Sequence, residues 1–262
     1  MTFLKRIIRA KPQPPAPRSR TSELVYAIGD VHGRLDCLEP LLDAIRADAQ
    51  AHAVRPRLIF LGDLVDRGPE SRQVVDRVLE LSIQGWCDVD ALKGNHEEAL
   101  LLFLEEPPFG ATWGDHGGGP TMLSYGVAPP RTRTDDEAWT AARDAFAAAL
   151  PDEHLAFYKA LKLWTVSDDY LFVHAGVRPG TPIERQEEAD LLWIRAPFLE
   201  VERASDKVVV HGHTPSEQVE MTPWRIGTDT GAYATGLLSA VKLHGTERRL
   251  IQARPSRARR LA

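Results

Sequence analysis

Apolar and polar positions along this chain follow a repeated order: a short apolar run, a glycine-bracketed polar loop, then apolar residues at helical spacing. Leu24-Val25-Tyr26-Ala27-Ile28 predicts a buried strand and runs into Gly29-Asp30-Val31-His32-Gly33. Leu35, Leu38, Leu41, Leu42 and Ile45 then recur three and four apart, predicting a helix over roughly 35–49. The pattern returns with Leu58-Ile59-Phe60-Leu61, the loop Gly62-Asp63-Leu64-Val65-Asp66-Arg67-Gly68, and a helix carrying Val74, Val75, Val78, Leu79 and Leu81. A third strand near 87–92 ends in Gly94-Asn95-His96-Glu97, and Leu100, Leu101, Phe103 and Leu104 mark the helix that leaves it. In open α/β sheets ligands gather at the carboxyl ends of the strands, so the three loops are expected to converge.

The middle of the chain is less regular. Residues 105–135 are rich in Gly and Pro and contain Trp113, His116 and Gly117-Gly118-Gly119, which either shape a substrate entrance or form an ordinary glycine-rich turn. Helices are predicted near 136–149 and 152–162, the second capped by Asp152, and both are expected to lie over the site. Strands then return at Tyr170–Val173, leading to His174-Ala175-Gly176, and at Lys207–Val210, leading to His211-Gly212-His213-Thr214. Short alternating segments between 217 and 244 predict antiparallel pairing. The expected fold is α/β (α+β): two mixed sheets packed together, flanked by helices, in one domain.

Composition sharpens the boundaries. Of 262 residues, 43% are apolar and 26% charged, ordinary values for a globular chain. No apolar run is long enough to span a bilayer, and the N-terminus lacks a secretory h-region. Cys37 and Cys87 have no metal-ligand spacing and read as free buried thiols, so a cytoplasmic location is expected. The net charge of -5 hides an asymmetry: residues 1–20 carry six bases and no acid, and residues 246–262 carry six arginines and one acid. The expected organisation is a basic, Pro-rich tail over 1–22, a catalytic domain over 23–247 with a cap region at about 105–165, and a basic tail over 248–262. Phe3, Leu4, Ile7 and Ile8 among the first bases allow weak membrane-surface contact or a solvated tail. The acidic body between the tails argues against nucleic acid as the main partner.

The polar residues at strand ends are Asp30, His32, Asp63, Asp66, Arg67, Asn95, His96, His174, His211 and His213. So many ionisable groups at buried strand ends call for a compensating cation. The donors are oxygen and imidazole nitrogen with no thiolate, a set that suits manganese, iron or zinc. Asp63 could bridge two ions, Asp66 could orient a histidine, and Arg67 could grip a phosphate.

The ordered motifs GDVHG, GDLVDRG, GNHE, HAG and HGHT, spanning 30–214, resemble the phosphoprotein phosphatase family of calcineurin-like metallophosphoesterases. The similarity is to bacterial serine/threonine protein phosphatases of the type that includes diadenosine tetraphosphatases. That resemblance implies a four-layer sandwich holding two divalent metal ions, manganese foremost. Asp30, His32 and Asp63 would hold the first ion, and Asp63, Asn95, His174 and His213 the second. It implies attack on phosphorus by a metal-bridging hydroxide, with Arg67 on the phosphate and His96, held by Asp66, protonating the leaving oxygen. A further phosphate arginine is expected at Arg195, with Arg178 and Arg185 as alternatives. His211 and Asp229 are expected to brace the site rather than bind metal. The implied substrate is phosphoserine or phosphothreonine in proteins, with a dinucleoside polyphosphate or nucleotide as the alternative on the same residues.

Overall fold

The structure, a computed structural model, describes residues 19–255. The expected N-terminal membrane-surface segment lies outside the described residues. Strands β1 (Thr21–Ile28), β2 (Pro56–Phe60) and β3 (Asp88–Ala91) are parallel, and β9 (Leu238–Gly245) and β10 (Glu247–Ala253) extend their sheet antiparallel in the order β10-β9-β1-β2-β3. The second sheet runs β4-β5-β6-β8-β7, from Trp164–Ser167, Tyr170–Val173, Val208–His211, Glu220–Met221 and Arg225–Gly227 for β4 to β8. Within it β5, β6 and β8 are parallel.

The period-2 alternation of strand side chains builds the layers. Val25, Ala27, Ile59 and Leu61 face Tyr170, Phe172, Val208 and Val210 of the other sheet and form the core between them. Leu24, Tyr26, Ile28, Leu58 and Phe60 point the other way, beneath α1 (Leu35–Ala49), α2 (Ser71–Ile83) and α3 (Asn95–Glu105). Leu171, Val173 and Val209 pack outward as part of a third cluster. Six strand ends therefore deliver their following loops to one edge of the sandwich.

The middle segment is more helical than its composition predicts. Pro107–Phe109, α4 (Gly110–Trp113), a π turn at Gly114–Gly118 and α5 (Gly119–Ser124) follow one another. α6 (Asp136–Ala149) and α7 (Asp152–Ala160) follow and pack on the helical layer. Trp139, Phe146 and Tyr158 join Phe103 and Trp113 in the core of the helical layer. Asp152 makes no side-chain cap and occupies the first helical position of α7; the helix that is capped is α6, where Asp135 accepts from the Ala138 N–H at 3.0 Å.

Both ends of the domain also move. Thr21 already lies in β1 and Ser19 is buried, so order begins before residue 23. Residues 248–253 are not tail but the edge strand β10, pairing Arg248 with Leu243 and Ala253 with Leu238. Its arginines hid it: charge on an edge strand discourages pairing with another chain, and here it also finds partners. Arg248 lies over the Tyr170 ring and donates to the Thr222 carbonyl, while Arg249 pairs with Asp48 and Glu247. The segments of 217–244 divide between sheets: β7 and β8 are an antiparallel pair, but β8 is parallel to β6, and β9 belongs with β1.

Candidate active site

The three β-strand loops of the first sheet are tied to each other by backbone bonds. Val31 and His32 donate to the Asp63 carbonyl at 3.1 and 2.8 Å, and the His96 N–H donates to Asp63 Oδ1 at 3.0 Å. The fit is tight: a Cβ on Gly94 would lie 2.2 Å from Asp63 Oδ1, so only glycine allows this approach. His32, Asp63, Asp66, Arg67 and His213 all have left-handed backbone, with φ of 49°, 50°, 72°, 68° and 63°. Non-glycine residues adopt that conformation seldom, and it concentrates where geometry is functional.

Asp63 sits between two groups of donors. Its Oδ2 lies 3.6 Å from His32 Nε2 and 3.9 Å from His96 Nε2, and its Oδ1 lies 3.5 Å from His174 Nε2. The resulting clusters are His32, Asp63 and His96 on one side, and Asp63, His174 and His213 on the other. Asn95 joins the second, with Oδ1 at 2.9 Å from both His174 Nε2 and His213 Nδ1. Asp30 does not fall in the first cluster. It is buried alongside, accepting the His213 N–H at 3.0 Å and facing Asp229.

These residues fit divalent cations. His32 Nδ1–H donates to the Val65 carbonyl at 2.9 Å and His174 Nδ1–H to the Leu61 carbonyl at 2.8 Å, which leaves each Nε2 lone pair aimed inward. His174 Nε2 and Asn95 Oδ1 are then two acceptors in contact, and His213 Nε2 is buried without a hydrogen-bond partner. Burial holds His32 and His213 down to about 3 and lowers His174 as well, so these imidazoles are neutral, the form that ligates metal. Burial opposes charge on Asp63, but His174, His96 and His32 in their protonated forms, together with the His96 N–H, favour its carboxylate and hold it below the usual range. Burial and the Asp229 and Asp63 carboxylates push Asp30 well up, and burial raises Asp229 to about 6. Such crowding of buried carboxylates is relieved by a cation.

Beside the clusters lies a dyad. His96 Nδ1 donates to Asp66 Oδ2 at 2.7 Å. Asp66 is fully buried and also accepts from Trp113 Nε1 at 2.8 Å and Thr121 Oγ1 at 2.6 Å. Burial opposes protonation of His96, yet Asp63 and Asp66 outweigh it and raise the imidazole to about 9. Arg67 Nη2 stands 3.1 Å from His96 Nε2, its backbone N–H donates to the Gly117 carbonyl, and its guanidinium lies 4.4 Å from the Tyr233 ring centre. The geometry at Nε2 fits a neutral acceptor, whereas the carboxylates favour the charged imidazole. The 2.7 Å bond from Nδ1 to Asp66 favours the charged form independently of Asp63.

Arg195 follows α8 (Glu188–Trp193) on an exposed segment, two residues beyond Trp193, whose ring lies 6.2 Å from that of His213. Arg178 is committed to Asp190 through two bonds of 2.7 Å. His211 is outside both clusters, edge-on to Phe198 at 5.0 Å, with Nδ1 donating to the Gly212 carbonyl. Asp229 braces a turn by accepting the Gly231 N–H at 2.8 Å.

Three contributors escaped the sequence reading. Glu97 was quoted in a motif without a role; its Oε2 accepts from the N–H groups of Asp63 and Gly94 and its Oε1 from Leu64 and Val65. A glutamate three residues after the N-cap is a capping signature, which is the signal that could have found it. Trp113 and Thr121 carry no local signal for their bonds to Asp66. In the glycine run, Gly117 packs against Arg67 and Gly118 against the buried Trp113 ring.

The fold and this site define a hydrolase with a paired-metal centre built on a β-sandwich. The chain belongs to the calcineurin-like phosphoesterase family, whose model matches residues 24–236. It is 25% identical over 239 residues to the bis(5'-nucleosyl)-tetraphosphatase PrpE [asymmetrical] of Anoxybacillus flavithermus, covering 82% of this chain and 88% of that one. The Bacillus cereus protein of the same name is likewise 25% identical, over 236 residues, with the same shares covered. A solved structure provisionally named a diadenosine tetraphosphatase superposes with a TM-score of 0.64 at 21% identity, over 90% of this chain and 96% of the other. The cold-active protein-tyrosine phosphatase of a psychrophilic Shewanella shares the fold at a TM-score of 0.52 and 16% identity, over 88% and 80%. The chain is thus a metal-dependent phosphoesterase, and among the described residues no helix is long and apolar enough to cross a membrane.

Proposed function

We propose that this phosphoesterase hydrolyses dinucleoside polyphosphates of the diadenosine tetraphosphate type. Phosphoserine and phosphothreonine in proteins, the first expectation from the motifs, would use the same contacts and are the second reading. The observation that carries the chemistry is the position of Asp63, one oxygen toward each donor group, with the His96–Asp66 dyad alongside. Relatives named as bis(5'-nucleosyl)-tetraphosphatases over 82% of the chain support the substrate class.

Asp30, His32 and Asp63, and Asp63 with Asn95, His174 and His213, are the residues that would hold the two ions, manganese foremost. Bound there, divalent ions supply an activated water and neutralise phosphate charge. The chain supplies the rest. Asp66 fixes the His96 tautomer, leaving Nε2 to carry the proton given to the leaving oxygen, help worth roughly 100- to 10,000-fold. Arg67 Nη2 stands 3.1 Å from that Nε2, so one phosphate can be held by the guanidinium and meet the imidazole at the same time. Arg195, two residues beyond the Trp193 that borders His213, would add positive charge near the second cluster. The reaction needs no nucleophilic Ser or Cys, since the attacking group is water.

The test is a comparison of kcat/KM on diadenosine tetraphosphate and on a phosphoserine peptide with manganese-loaded protein. A higher value on the dinucleotide is expected; a preference for the peptide would establish the second reading, and hydrolysis of neither would refute both.

A further inference from the structure

Two large aromatic rings stand partly in solvent at the site, one beside each donor cluster. Tyr233 is 37% exposed and Trp193 48% exposed, whereas Trp113, the other tryptophan that touches the site, is buried. The Tyr233 ring lies edge-on to His32 at 5.4 Å, and the Arg67 guanidinium rests on it at 4.4 Å. The Trp193 ring lies edge-on to His213 at 6.2 Å, with its Nε1–H on Glu98 at 2.7 Å. The two rings therefore flank the row His32–Asp63–His174–His213 from its two ends.

Tyr233 is held on a rigid mount. It sits in the single-turn helix α9 (Ala232–Thr235), between Gly231 and Gly236, both left-handed with φ of 62° and 64°. Arg34 donates to the carbonyls of Ala232 and Tyr233, at 2.7 and 3.3 Å, while its other nitrogens are fixed by Asp36. Thr235 Oγ1 bonds back to the carbonyls of Thr230 and Gly231. Among the described residues the Tyr233 hydroxyl makes no hydrogen bond, so the backbone is pinned while the ring, with Arg67 over one face, keeps more than a third of the residue exposed. A ring fixed in this way loses little conformational freedom when a planar partner covers it.

We propose that Tyr233 is a specificity-determining residue: a stacking platform for a nucleobase whose phosphates lie on Arg67 and the metal-binding residues, with Trp193 the corresponding platform at the far end. The inference rests on the dinucleoside polyphosphate reading and adds to it the residues that read the nucleoside. Every base presents a π face, so the platform accepts adenine or guanine without hydrogen-bond readout. Arg67 joins the two halves of the ligand, touching the ring with its face and the phosphate with its N–H groups.

The experiment is calorimetric binding to manganese-loaded full-length protein of two non-hydrolysable probes, methylenediphosphonate and adenosine 5'-methylenediphosphonate. They share the phosphonates and differ by adenosine, so the ratio of their Kd values isolates the nucleoside and cancels any loss through Arg67. The wild-type protein is expected to bind the adenosyl probe more tightly. Tyr233→Ala is expected to shrink that advantage roughly 5- to 100-fold, Tyr233→Phe to keep it, and Trp193→Ala to reduce it less, because one adenosine occupies one platform. An adenosyl probe bound no better than the bare one, or a Tyr233→Ala protein that loses both equally, would overturn the proposal. Because no turnover is involved, the outcome is separate from the substrate test: a protein that binds the adenosyl probe through Tyr233 yet leaves diadenosine tetraphosphate intact refutes the substrate and keeps the platform.

Discussion

Replacing Glu97 by Gln tests whether the metal-binding loop is held by charge. The carboxylate is fully buried and receives four backbone N–H groups: Asp63 at 2.9 Å and Gly94 at 2.8 Å on one oxygen, Leu64 at 2.7 Å and Val65 at 3.3 Å on the other. Glutamine has the same shape but only one acceptor end. Its NH2 must face two N–H donors, and the less costly choice sets it against Leu64 and Val65, where one bond is already long. One short bond to a charged acceptor is then lost, one weak bond with it, and two buried donors are left unpaired. At about 1.5–3 kcal/mol per bond to a charged group, the loss comes to about 3–4 kcal/mol. That is a large part of the 5–15 kcal/mol typical of a domain, yet the protein stays folded at 25 °C.

The same change reaches the chemistry. Asp63, Asp66 and Arg67 keep left-handed backbone, each costing about 1–3 kcal/mol, and the loop can relax that strain once Glu97 no longer grips it. A shift of about 1 Å in Asp63 is enough for a roughly 100-fold loss of turnover. Urea denaturation gives the stability, and p-nitrophenyl phosphate hydrolysis per folded molecule gives the activity. Glu97→Gln within about 0.5 kcal/mol of wild type and with full turnover would show that Glu97 works as a neutral acid, the form favoured by its burial and by Asp63, which push it up to about 7. Lost stability with full turnover would refute the positioning half alone.

Other residues make separate predictions. His96→Asn should lower kcat roughly 100- to 10,000-fold with metal content by atomic absorption unchanged; a fall in metal content would instead make His96 a ligand beside His32 and Asp63, where it stands close enough to serve. Trp113→Phe removes one of three donors to Asp66 and should cost about 1–2 kcal/mol while lowering kcat more than it raises KM; unchanged kcat would show that the tryptophan only fills the core. Asp90 resists charge through burial, but Lys162 and Arg57 hold its carboxyl below the usual range. With its folded pKa depressed, the stabilisation is complete above about pH 4 and fades as pH falls through the folded value, so Asp90→Asn should cost about 2–3 kcal/mol at pH 7 and progressively less below pH 4. A gap that stayed constant or widened in acid would refute that pairing.

What could be read in the sequence was what is local. The strands β1, β2, β5 and β6 are apolar runs, β3 is flanked by apolar Cys87 and Leu92, and each of these strands ends in residues that need no distant partner to be noticed, so Asp30, His32, Asp63, Asn95, His96, His174 and His213 could be collected before any fold was known. What could not be read is what those residues lean on. Trp113 and Thr121 lie 47 and 55 residues from Asp66, joined to it only through α4 and α5, and a composition rich in Gly and Pro gave no hint of helical turns there. β10 was hidden by arginines that are correct for an edge strand and also correct for a tail.

The backbone strain was hidden as well, and it says most about how the site works. Of six non-glycine residues with positive φ among those described, five are His32, Asp63, Asp66, Arg67 and His213. Glycine at any of these positions would relieve the strain and remove the donor, so the conformation persists only because the surroundings fix it: Glu97 on Asp63 and its neighbours, Ser71 and Thr121 on the Asp66 N–H, Gly117 on Arg67, and Asp30 on the His213 N–H. Asp30 thereby has a structural part even apart from metal, since its carboxylate accepts the N–H of a strained residue in the opposite sheet. Loss of Asp30 should accordingly disturb His213 and the second cluster as well as the first, a coupling between the two sheets that motif spacing alone does not contain.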